Sequence, residues 1–78
     1  MDINDVVIHV NETLDARARH ELEERMRDID GVIAPRFNEQ KPHLMIVAYN
    51  PARTRMGVLL EEVRFQGYTA QACSGMSI

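Results

Sequence analysis

Apolar residues recur at every second position from Val6 to Val10, then at every fourth from Leu14 to Met26, with a short polar break between the two patterns. The first period is that of a strand with one covered face, the second that of a helix with one buried stripe. Val6, Ile8 and Val10 share a face and Val7 and His9 take the other, in a run rich in β-branched residues that predicts a strand over Asp5–Val10. Asn11-Glu12-Thr13 interrupts, and either Asn11 or Thr13 is placed to cap the helix that follows. Leu14, Ala18, Leu22 and Met26 form its inner stripe, with Ile29 one step beyond. Its outer face pairs Asp15 with Arg19, Arg17 with Glu21, Glu21 with Arg25 and Glu23 with Arg27, each pair worth roughly 0.2–0.5 kcal/mol. Gly31 stands where a glycine just past a helix end belongs.

Val32–Phe37 reads as a second strand, and Pro35 within it predicts a sheet edge, because proline cannot donate to a ladder. The polar segment Asn38–Pro42 is a hairpin loop, and His43–Tyr49 is the most apolar strand of the chain. Asn50-Pro51 breaks it. Thr54 is the expected cap of a second helix whose buried stripe is Met56, Leu59, Leu60 and Val63. Gly67 ends that helix, Tyr68–Cys73 gives a last strand, and residues 74–78 form a loose tail. The order is β-α-β-β-α-β. Right-handed crossovers then place both helices on one face of a four-stranded antiparallel sheet, the ferredoxin-like α+β arrangement.

At 78 residues the chain makes one domain, with a core over about residues 5–73. Nine basic against twelve acidic residues leave a net charge of -3, which lacks the basic footprint of a nucleic-acid binder. No run approaches the roughly 18 apolar residues of a membrane span, and the acidic start Met1-Asp2 has no signal-peptide character. A single cysteine, Cys73, cannot form an internal disulfide, so a reducing cytoplasm is the expected setting.

Tyr49-Asn50-Pro51-Ala52, then Leu59-Leu60, Val63, Gly67-Tyr68 and Ala70, resembles the second half of heavy-metal-associated domains. There a strand ends in Tyr-Asp-Pro, a helix follows, and Gly-Tyr leads into the last strand. The first half matches in spacing, with Leu22 and Met26 inside a helix and Gly31-Val32 at its exit, so the resemblance spans about Val6 to Ala72. It implies the family's fold and a metal-handling context. The family's metal signature, Gly-Met-x-Cys-x-x-Cys, falls on Glu12-Thr13-Leu14-Asp15-Ala16-Arg17-Ala18, so Asp15 and Ala18 stand where the cysteines would be. Two thiolates at a helix N-terminus suit a soft ion such as Cu(I); a carboxylate and a methyl group do not. Asp15 is better explained as a first-turn acid complementing the helix dipole, and Ala18 as a small residue packed on the sheet.

Elsewhere the chain has little that speaks of chemistry. His9, His20 and His43 make no metal spacing with one another: His9 lies on the outer sheet face, His20 on the solvated side of the first helix, and His43 opens the third strand. Cys73 reads as an inert small hydrophobe, and Met26, Met45 and Met56 as core residues. Glu23-Glu24 and Glu61-Glu62 are solvated helix faces, and there is neither a glycine-rich phosphate loop nor a nucleophile elbow, so no enzyme is expected. One feature exceeds an ordinary surface. If Met45, Val47 and Tyr49 face the helices, Leu44, Ile46 and Ala48 face away, and so does Val7 on the neighbouring strand. With His9 they make a partly aliphatic outer face suited to a homodimer or another protein partner. The expected function is therefore a non-catalytic interaction module, accessory to metal handling, with no cofactor, nucleic acid or membrane. The alternatives are a carrier using other ligands (Asp15 with His20, or Cys73 with a histidine across a dimer) and a small regulatory ligand-binding domain.

Overall fold

The computed structural model describes residues 2–73; the loose tail expected over residues 74–78 lies outside them. Its elements are β1 (Asn4–Val10), α1 (Ala16–Arg27), β2 (Val32–Phe37), β3 (Leu44–Tyr49), α2 (Met56–Phe65) and β4 (Ala70–Ala72). The four strands form one antiparallel sheet in the order β2-β3-β1-β4, the βαββαβ ferredoxin-like topology that the periodicity implies.

Register decides which residues make the core. Val6 pairs with Val47 and Ile8 with Met45 across β1 and β3. This inner face, with Val10, Tyr49 and Ala70, meets Leu22 and Met26 of α1 and Leu59 and Val63 of α2 in a single buried cluster. Pro35 is buried on β2, an edge strand, where one side of the backbone needs no donors. The ladder of β2 shifts between Val32 and Ala34, and Ile33 at the shift is exposed; such a bulge bends an edge strand away from further pairing.

The helix ends differ from their expected form. Asp15, rather than Asn11 or Thr13, is the N-cap of α1: its Oδ1 accepts the Ala18 N–H at 2.8 Å. The reason is Leu14, which is buried and has to enter the core from extended chain, so the helix cannot begin before it. The Arg19 guanidinium then donates to the Leu14 carbonyl instead of pairing with Asp15. Helix α1 ends at Arg27 with Asp28 as its cap, and Gly31 follows in a separate turn, closed by the Val32 N–H on the Ile29 carbonyl, with φ +101°. At α2 the reverse holds. Gly67, with φ +99°, is the residue past the cap, and the Gly67 and Tyr68 N–H groups return to Arg64 and Val63 in a Schellman motif.

Other expectations need correction. Thr54 does not cap α2: Arg55 holds the N-cap without a side-chain bond, while Thr54 is buried with its Oγ1 unpartnered among the described residues. Packing over the Gly31 turn holds it inward. Met56 opens α2 with 39% exposure instead of joining the core, because the inward stripe begins at Leu59. Strand β4 is three residues long, since the chain before Ala70 is spent on the Gly67 turn. Of the outer pairs on α1, Arg17–Glu21 forms at 3.5 Å between exposed groups. Arg27 pairs with Glu24 rather than Glu23, because the Glu23 carboxylate accepts the Phe37 N–H at 2.7 Å and so covers the β2 edge.

Candidate functional site

Two regions bear on function: the loop from Asn11 to Ala18, and the sheet face turned away from the helices. In the loop every carboxylate is engaged by the backbone. Asp15 is held at the helix end. Glu12 accepts the Thr69 N–H at 2.8 Å, joining the loop to the chain entering β4. That backbone donor holds the Glu12 carboxyl below the usual carboxylate range. Ala18 is half-buried against the core. The loop thus presents neither thiolates nor free carboxylates in a convergent set. His20 lies exposed on α1, five residues beyond Asp15 and so about 140° around the helix from it. Among the described residues no group of three or more His, Cys, Asp or Glu side chains is placed to hold a metal ion.

The outer face is set by the same register that builds the core. Val7 lies opposite Ile46, Asp5 opposite Ala48, and His9 opposite Leu44. The Cys73 N–H donates to the Val7 carbonyl at 2.8 Å, and Cys73 is half-buried beside it, away from His20. On the other flank Ala34 and Arg36 pair with Ala48 and Ile46. Ile46 is 41% exposed, whereas Val7, Leu44 and Ala48 are half-buried among their neighbours. The result is an aliphatic strip with Arg36 on one side and Asp5 on the other.

Two arrangements escaped the sequence. The imidazoles of His9 and His43 are stacked, centroids 5.7 Å apart and planes 17° from parallel, although no spacing along the chain relates them. The signal lies in the β1–β3 register, which places the start of one strand beside the end of the other. Phe65, 84% exposed at the end of α2 with Val58 two turns before it, is the most exposed large apolar residue described.

No protein-family model and no curated protein matches the sequence. Solved structures do match the shape. Oxidized MerP from Ralstonia metallidurans CH34 superposes with a TM-score of 0.82 at 14% identity, over 92% of this chain and 99% of that one. The CopZ metallochaperone gives 0.79 at 18% identity, over 87% and 100% of the two chains. The N-terminal domain of a potential copper-translocating P-type ATPase from Bacillus subtilis, in its Cu(I)-loaded state, gives 0.80 at 23%, over 90% and 86%. The chain has the heavy-metal-associated fold. The first loop and the start of α1 carry Asp15 and Ala18. No helix among the described residues is long and apolar enough to cross a membrane.

Proposed function

We propose that this chain is a non-catalytic binding module on the heavy-metal-associated fold, accessory to metal handling, that does not carry soft metal in its first loop. Its partner is a second copy of itself, met through the outer sheet face. The observation carrying the first half is the Asp15 carboxylate, spent on the Ala18 N–H where a soft-metal site needs a thiolate. The metal-handling context comes from the folds it shares, among them a metallochaperone and a copper-translocating ATPase domain. A single cysteine fits a reducing compartment such as the cytoplasm.

Competition against a chromophoric Cu(I) chelator tests the loop. The protein is expected to leave all copper with the chelator, and one copper retained per chain overturns the reading. The double variant Asp15→Cys/Ala18→Cys places two thiols at the N-cap and third helical position of α1, and is expected to gain Cu(I) binding.

The choice of a second copy rests on self-complementarity. A two-fold axis through the strip sets Val7, Leu44 and Ile46 against their equivalents, and brings Arg36 of one copy toward Asp5 of the other. Burying one large aliphatic contributes about 1.5–3 kcal/mol, and a symmetric pair counts each twice against the cost of association. Ile46→Lys is expected to give a folded protein whose dimer dissociates in sedimentation velocity. A wild-type chain that stays monomeric at high concentration removes the homodimer.

A further inference from the structure

The sheet ends in two edge strands, β2 and β4, and each receives one charged side chain from the helix packed beside it. Just past β2 the Asn38 N–H donates to the Leu44 carbonyl, toward β3, so by alternation Phe37 and Pro35 turn their backbone groups to the open side. Around β4 the Thr69 carbonyl accepts from Asn11 and the Cys73 N–H donates to Val7, so Ala70 and Ala72 turn theirs outward. The outward Phe37 N–H donates to the Glu23 carboxylate of α1 at 2.7 Å. The outward Ala70 carbonyl accepts from the Arg64 guanidinium of α2 at 3.0 Å. Pro35 has no N–H to offer.

The masked groups are thus a donor on one edge and an acceptor on the other. Strand β4 is antiparallel to β1, β1 to β3 and β3 to β2, so β2 and β4 run in opposite directions. A second copy displaced along the sheet without rotation therefore brings its β2 against this β4 as the next antiparallel strand. With Phe37 set opposite Ala70, the Phe37 N–H meets the Ala70 carbonyl, and Pro35 falls opposite Ala72. We infer that β2 and β4 are the two halves of a latent head-to-tail interface between copies of this chain, and that Glu23 and Arg64 hold it shut. Such an interface does not close on itself, so its product is a growing sheet rather than a dimer. In the wild-type chain, joining Phe37 to Ala70 breaks two charge-assisted bonds to form one neutral bond, and leaves both charged side chains in the path of the incoming strand. Once both are gone, the same bond replaces only bonds to water. The interface extends the sheet in its own plane and is separate from the outer sheet face.

Glu23→Ala/Arg64→Ala is expected to form species that grow with concentration in sedimentation velocity and bind thioflavin T, while the wild-type chain does neither. Each single substitution leaves one half masked and is expected to keep the wild-type size. Glu23→Gln/Arg64→Lys, which keeps an amide oxygen on one edge and an ammonium donor on the other, is expected to do the same. Adding Ile46→Lys to the double alanine variant leaves assembly unchanged, so this interface and the outer-face dimer can fail separately. Leu22→Ala is the control for lost stability, since it loosens the core and keeps both side chains in place. In the assembled sample the Phe37 amide, freed by Glu23→Ala, is expected to regain protection from exchange. A double alanine variant of wild-type size overturns the inference. So do equal assembly by Leu22→Ala or by either single variant, loss of assembly on adding Ile46→Lys, and a Phe37 amide that stays unprotected in the assemblies.

Discussion

Gly31→Val is expected to destabilise the fold by about 3 kcal/mol or more, read as a drop in the urea midpoint at unchanged slope. Two independent effects add. Gly31 has φ +101°, a conformation that β-branched residues adopt at high cost. A Cβ built there also falls 2.9 Å from the Arg53 Cβ and 3.0 Å from the Thr54 Cγ2, and Thr54 is itself buried. The turn cannot relax easily, because the Gly31 carbonyl accepts the Asn50 N–H at 2.7 Å and ties the exit of α1 to the end of β3. Gly67 supplies the control. Its φ of +99° is nearly the same, but nothing lies within 4 Å of its added Cβ. Gly67→Ala therefore reports the backbone cost alone, on the order of 1 kcal/mol, while Gly31→Ala adds the collision. Equal losses at the two glycines would show that the Arg53–Thr54 segment yields freely.

The same two glycines show how far the sequence reaches. Both were legible as turn residues, since glycine after an amphipathic run marks a helix exit. Only Gly67 is part of a helix-ending motif, and the difference rests on three residues, Asp28 to Asp30, whose path follows the packing of half-buried Ile29 on the core. Strand facing was legible because period two leaves no freedom once one residue is inside, and Pro35 marked the edge for lack of a donor. Caps were less so. Thr54 has good capping chemistry, yet tertiary packing over Gly31 turns it inward and leaves Arg55 in the cap position. Met56 suits an inward stripe by spacing, but a first-turn residue of α2 lies beyond the sheet's cover.

For the candidate sites, what was legible was what lies within one element. Asp15 and Ala18 could be located by counting along α1, and the aliphatic strip by alternation along β1 and β3. Contacts between distant elements could not be counted in this way. The His9–His43 pair and the bond from Thr69 to Glu12 each join segments far apart in the chain, and they depend on a register that no local pattern specifies. Glu23 shows the same limit: its charge spacing pointed to Arg27, whereas the β2 edge, with an unpaired N–H at Phe37, is the partner it meets.

Leu22→Ala and Glu23→Ala, neighbours on α1, separate the two kinds of interaction. Leu22 is 2% exposed and belongs to the buried core cluster. Truncating it removes buried methyl groups and leaves a cavity, so the expected loss is about 2–5 kcal/mol. At roughly 0.05–0.15 kcal/mol per residue, a chain of 78 residues holds about 4–12 kcal/mol, so such a change removes from about a sixth of its stability to all of it. Glu23→Ala removes no core volume. It leaves the Phe37 N–H at the sheet edge without its acceptor, and because the site is only half-buried, water takes up part of the loss. The expected cost is about 1 kcal/mol, more than a solvated surface glutamate and well below Leu22. Amide exchange supplies the sharper readout. In Glu23→Ala the Phe37 amide is expected to exchange faster while the amides of β1 and β3 keep their protection, because the central strands open only with the whole fold. Equal denaturant losses at the two positions would contradict the facing of α1, and an unchanged Phe37 amide would remove the edge contact from the account.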